Sequence, residues 1–198
     1  MMNQFNTISV LPRMATFLCG MIVLLISLAA NGPAHAKESL DPYVKGLQLQ
    51  GQGRMTFWGF DVYDARLYVG DQRGQTGFAL DLNYLRSLKG SDITKRTIDE
   101  MQRLGVSEAN RNTWGKKLDG IFPDVVSGSS LTAIHVPGRG TVFLHNGKSV
   151  GEIAGDDFAR AFFSIWLDPK TAAPKLRTAL IGQACAPLII APTCEPSR

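Results

Sequence analysis

Apolar residues form one unbroken run near the start of the chain and short patterned segments everywhere after it. Residues 43–50 alternate as a strand does, and Gly51-Gln52-Gly53 interrupts them. Aromatic and β-branched residues crowd 54–60 and 61–69, which read as one long bent strand or two consecutive ones, with glycines at bends or bulges. A loop over 70–75 leads to a strand over 78–84. The period then lengthens. Ser91 or Asp92 caps a helix to about Leu104, with Ile93, Thr97, Ile98, Met101 and Leu104 on one side and Gly105 at its end. Ser107 caps a second to about Ile121, on which Trp114, Leu118 and Ile121 share a face.

Residues 131–136, 141–145 and 148–153 read as three antiparallel strands, the last two joined by Asn146-Gly147, a pair suited to a tight positive-φ turn. Asp156 or Asp157 can cap the helix that follows, whose apolar positions 158, 161, 162, 165 and 166 keep helical spacing. After Asp168-Pro169 a final helix runs from about Ala173 to Ile181, ended by Gly182. Strands grouped apart from helix pairs predict an α+β domain with an antiparallel sheet.

The unbroken run, residues 14–30, follows Arg13, the only charge before Lys37. Asn31-Gly32-Pro33 breaks it, and Ala34-His35-Ala36 places small residues where a signal peptidase reads. The expectation is a signal peptide over 1–36, with an uncleaved signal anchor as the alternative, and a periplasmic or secreted domain over 37–198. That domain has its core at about 47–182 and a tail at 183–198. Loss of Arg13 lowers the net charge only from +4 to +3, and the basic residues form no run, so nucleic-acid binding is not expected. A membrane is expected to meet the chain only through the signal segment during export. Cys19 leaves with that segment. Cys185 and Cys194, nine apart in an exported chain, are then expected to form a disulfide.

Candidate chemistry is sparse. The chain lacks a nucleophile elbow, a zinc-protease motif, a P-loop and a dinucleotide fingerprint, and no metal or cofactor is expected. If Val136 pairs with Thr141, His135 opposes Val142 and His145 opposes Thr132, on opposite faces. Asp99 and Glu100, one turn from Lys95, Arg96 and Arg103, read as a solvated, ion-paired helix face. Arg54, Tyr63, Tyr68 and Tyr84 lie on strands expected to be neighbours. A guanidinium among phenols in an apolar cleft can receive a carboxylate or phenolate; an arginine snorkelling over surface aromatics is the alternative.

Several stretches together resemble chalcone isomerase-like domains. They are Gly51-Gln52-Gly53-Arg54, Gly59-Phe60-Asp61-Val62-Tyr63-Asp64-Ala65-Arg66-Leu67-Tyr68 and Phe78-Ala79-Leu80-Asp81-Leu82-Asn83-Tyr84-Leu85-Arg86. Ile121-Phe122-Pro123-Asp124-Val125, Pro137-Gly138-Arg139-Gly140-Thr141, Asn146-Gly147 and Phe158-Ala159-Arg160-Ala161-Phe162-Phe163-Ser164-Ile165-Trp166-Leu167 continue the likeness, and Leu176-Arg177-Thr178-Ala179-Leu180-Ile181-Gly182 closes it. It resembles the bacterial exported branch most. The resemblance implies an open-faced β-sandwich: a large antiparallel sheet, a helical layer on one face, and a ligand cleft between them.

The family's plant enzymes cyclise chalcones, and other relatives bind fatty acids. By this likeness Arg54 matches the enzymes' phenolate-holding arginine and Tyr63 their strand threonine. Ile93 stands where they have a tyrosine, Glu100 near their helical asparagine, and Ser164 at their late Ser or Thr. Two polar groups that orient water and substrate are thus absent. The resemblance therefore implies binding of a fatty acid or aromatic acid by Arg54, Tyr63, Tyr68, Tyr84 and Ser164 without catalysis. Isomerisation of a chalcone-like enone is the alternative.

Overall fold

In the computed structural model, residues 46–71 and 74–194 are described, so the expected signal segment and residues 43–45 lie outside the described residues. Six strands run β1 (Gln48–Phe57), β2 (Phe60–Val69), β3 (Phe78–Tyr84), β4 (Ser130–Val136), β5 (Gly140–His145) and β6 (Lys148–Ala154). They form one antiparallel sheet in chain order. The β3–β4 connection carries two helices, α1 (Gly90–Arg103) and α2 (Glu108–Ile121); α3 (Asp156–Leu167) and α4 (Pro174–Ile181) follow β6. All four pack on one face.

β1 and β2 are two strands, and the chain reverses between them at Trp58-Gly59, both at positive φ (53° and 79°). Gly51 and Gly53 are not an interruption. They lie inside β1 where α4 crosses: a Cβ on Gly51 would sit 2.3 Å from the Leu180 carbonyl oxygen, and one on Gly53 would sit 2.8 Å from the Ala179 Cβ. Asn146-Gly147 makes the expected turn, with φ of 49° and 77°.

Caps depart from expectation at two helices. Neither Ser91 nor Asp92 caps α1; the Gly90 N–H donates to Asp124 Oδ1 at 2.9 Å, a cap supplied from across the fold. Asp156 and Asp157 fall inside the first turn of α3, behind Gly155. Ser107 does cap α2, accepting from the Asn110 N–H at 3.3 Å.

The main core lies between sheet and helices. Phe158, Phe162 and Phe163 of α3 meet Phe78 of β3, Phe143 of β5 and Phe122, all buried. Their rings meet mostly edge to face, as in the 4.6 Å Phe78–Phe163 pair. On the other face Leu47, Tyr68, Ala79, Ile134, Val142 and Leu144 form a smaller buried cluster beside Asp81, which accepts from Thr132 at 2.7 Å.

Part of the tail belongs to the body: Ala186, Ile189, Ile190 and Ala191 pack on the core, and Cys185 is bonded to Cys194. The β4–β5 register is one residue from that expected. Val136 pairs with Gly140, His135 with Thr141 and His145 with Leu131. The turn is therefore one residue tighter, and by strand alternation both histidines fall on the same face. They stand four positions apart, roughly 13 Å along the strands. His135 is buried against Phe78, with Nε2 3.3 Å from Asp156 Oδ1, and His145 contacts Asn146.

Candidate functional site

Where β1, β2 and β3 run out beneath α1 and α3, the core leaves a cavity of about 280 Å³. Alternation along the strands selects its sheet wall. Met55 pairs with Tyr63 and Tyr63 with Tyr84, so all three face the helices, as does Leu82 two residues back. The helix wall comes from Ile93, Thr97 and Glu100 of α1 and Phe162, Ile165 and Trp166 of α3, with Thr171, Ala172 and Ala173 closing the end. Leu82, Phe122, Leu131 and Phe162 make its inner part apolar and buried.

The interior offers few polar groups, all neutral but one. The Trp166 indole N–H donates to Tyr63 Oη at 2.9 Å, which leaves the phenol's own proton free to donate. Burial raises the Tyr63 phenol to about 12, against a smaller downward pull from Trp166. Tyr84, whose ring meets Tyr63 edge to face at 5.7 Å, is raised further by burial and then by Tyr63. Both are neutral donors at ordinary pH. The charged exception is Glu100, buried between Arg96 at 2.6 Å and Arg103 at 2.7 Å. Arg103 also donates to the Lys170 carbonyl at 2.5 Å, which ties α1 to the loop after α3.

The mouth is different. Arg86 and Arg96 are exposed there, each with its guanidinium over a ring of the β1–β2 hairpin: Arg86 over Phe60 at 5.5 Å, Arg96 over Phe57 at 5.4 Å. Arg96 is paired with Glu100, which it shares with Arg103, whereas Arg86 forms no ion pair among the described residues. Asp92 adds a carboxylate to the rim. Among the described residues no group of three His, Cys, Asp or Glu could hold a metal ion.

The sequence-derived candidates part company here. Tyr63 and Tyr84 line the cavity; Arg54 does not. Because Met55 faces the helices, its neighbour Arg54 faces away. Its guanidinium is closed by Asp64, through Nε at 2.7 Å and Nη2 at 3.0 Å, and by Asp61 at 2.7 Å. These bonds, Asp64 first, hold Arg54 even more firmly protonated than usual. Tyr68 is likewise on the far face, buried with no partner for its hydroxyl, and Ser164 is buried in α3 outside the cavity lining. Ile93 and Glu100 do reach the cavity.

Glu100 corrects the reading of α1 as solvated around Asp99: Lys95 and Asp99 pair in the open, but Glu100 is inside. The signal was there. Arg96, Glu100 and Arg103 recur at four and three residues, in step with Ile93 and Thr97. Arg86 was also missed, though two residues past Tyr84 it continues the alternation of β3.

The chain matches the sequence profile of the family described as "Chalcone isomerase-like" over residues 33–182. It belongs to that family. A curated relative, an uncharacterised protein of Haemophilus influenzae, is 26% identical over 136 residues, which is 67% of each chain. Among solved structures, the Arabidopsis thaliana fatty-acid binding protein AtFAP1 has a similar fold, with a TM-score of 0.54 and 12% identity over 69% of this chain and 87% of that one. The six-stranded antiparallel sheet with its helical layer is thus the chalcone isomerase-like fold.

Proposed function

We propose that this chalcone isomerase-like protein binds a single-chain amphiphilic acid, a fatty acid or an aromatic acid, in the cavity and leaves it chemically unchanged. The observation that carries the reading is an apolar hollow of about 280 Å³ with Arg86 at its mouth, free of any ion pair among the described residues. That volume is just under the usual range for small-molecule sites, roughly 300–1,000 Å³, and suits one short chain better than a two-chain lipid. Each methylene that enters gains about 0.8 kcal/mol, so the tail provides affinity and the arginine selects for an acid head. Tyr63 and Tyr84 donate to any polar group that goes deeper. That the similar fold of AtFAP1 belongs to a fatty-acid binding protein supports the same reading.

The test is titration of the purified protein with medium-chain fatty acids. Arg86→Ala is expected to weaken binding about tenfold, the size of one charge-assisted hydrogen bond, while Arg54→Ala leaves it unchanged. Equal affinity for an acid and its methyl ester, or no binding of either, overturns the reading. An enone cyclisation assay is expected to run at the uncatalysed rate.

The binding site would work after export. The break and Ala34-His35-Ala36 beyond the apolar run support cleavage before Lys37, and the Cys185–Cys194 bond suits an oxidising compartment. Sequencing the amino terminus of protein recovered from its own host checks this; a start at Met1 rejects it.

A further inference from the structure

The tip of the β1–β2 hairpin is built against ordinary rules. Phe57, Trp58 and Phe60 are 48%, 86% and 64% exposed, and Trp58 takes the central turn position before Gly59, where Asn, Asp or Gly is usual. Trp58 sits at φ +53°, a left-handed conformation that bulky residues seldom adopt. Among the described residues its ring pairs with one other, the neighbouring Phe57 ring, 6.2 Å away. A strained backbone presenting an indole to solvent gains nothing for the fold, which points to use elsewhere.

The occupant follows from shape, area and charge. The tip is the end of a hairpin and exposes about 400 Å² of aromatic side chain. A stable protein partner needs roughly 800 Å² from each side. A bilayer needs no such area, because rings insert one by one between headgroups. Arg86 and Arg96 lie over the Phe60 and Phe57 rings at 5.5 and 5.4 Å, so rings that enter the interface bring both guanidinium groups to the lipid phosphates. Arg54 is closed by Asp61 and Asp64, so the charge offered to phosphate comes from Arg86 above all.

We propose that this tip docks on a phospholipid bilayer, with Phe57, Trp58 and Phe60 in the interface and Arg86 at phosphate depth. Phe57 and Arg86 also line the cavity, so docking turns its mouth toward the lipid. Docking stands on the tip itself; only that orientation relies on the cavity as a ligand site. It departs from the expectation that the signal segment alone meets a membrane.

The experiment mixes the full chain with vesicles of phosphatidylcholine and a minority of phosphatidylglycerol, containing brominated acyl chains that quench indoles. The chain's three tryptophans are Trp58, Trp114 and Trp166, so an N-terminal apolar run that binds lipid adds no signal of its own. Wild-type fluorescence should be quenched, and Trp58→Phe should lose that quenched component. Phe57→Ser with Phe60→Ser, which keeps Trp58 as the reporter, should raise the lipid concentration needed to quench it roughly tenfold or more. Its circular dichroism should match wild type, because both side chains are exposed.

Equal quenching of wild type and Trp58→Phe overturns the proposal. So does sedimentation showing that Trp58 is buried in self-association, which the double variant abolishes. A fatty-acid titration without vesicles separates the two readings. Quenching with no fatty-acid binding leaves docking standing and removes the cavity's function; binding with no quenching does the reverse.

Discussion

Arg54 and Arg86 present the same guanidinium from neighbouring parts of one sheet, and a single step of alternation separates their fates. Arg54 falls one residue short of Met55 and meets two carboxylates on the far face; Arg86 falls in step with Tyr84 and reaches the cavity mouth. Asp81 shows what that far face costs a charge. It is buried, accepts from Thr132 at 2.7 Å and has Arg66 at 3.7 Å, yet burial wins and its carboxyl is raised above the usual 3.8.

A carboxyl raised in the folded state favours the protonated form there. Its contribution is therefore full below the unfolded value of 3.8 and is lost as pH rises through the folded value. Asp81→Asn keeps the neutral form at every pH. Its stability relative to wild type should increase as pH rises from 3.8 and level off above the folded value, as denaturant midpoints at a series of pH values will show. A gap that narrows with rising pH would contradict this.

At the scale of elements, one helix is positioned by absent side chains. α4 lies on β1 because Gly51 and Gly53 let it approach. Gly51→Val places carbon 2.3 Å from the Leu180 carbonyl oxygen, so backbone must move; a loss of roughly 3 kcal/mol is expected in urea unfolding. Gly120, in α2 with open space where a Cβ would stand, is the contrast. Gly120→Ala should stabilise by about 0.5–1 kcal/mol through helix propensity. α1 depends on a distant partner instead, since Asp124 supplies its cap and Lys89 pairs with the same carboxylate at 2.7 Å, drawing the Asp124 pKa down.

For the molecule as a whole, the chain after α4 returns to the core and is fastened there. Gln50 of β1 donates to the Ile181 carbonyl at 3.3 Å, Arg160 of α3 to the Ile189 carbonyl at 3.1 Å, and Cys185 is bonded to Cys194. Closing a loop of this length restricts the unfolded chain by about 2–3 kcal/mol. Cys185→Ala with Cys194→Ala should lower stability by that amount in denaturant, and dithiothreitol should bring wild type to the same midpoint. A reductant-insensitive midpoint would show the bond contributes nothing.

Sequence alone determined what depends on local spacing: the strand over 78–84, the Asn146-Gly147 turn, the cap at Ser107, the aromatic face of α3 and the order of elements that marks the family. Each follows from residues within one or two turns of each other, where period and turn chemistry act. Tertiary structure decided what depends on register and crossing. It turned Arg54 away and Arg86 toward the cavity, made Gly51 and Gly53 a seat for α4, drew Glu100 inside between two arginines, and left Trp58 at an exposed tip. In each case one residue of offset, or one helix laid across a strand, sets the outcome. Local spacing hinted at Glu100 and Arg86, but the offset and the crossing that place them lie in other segments of the chain.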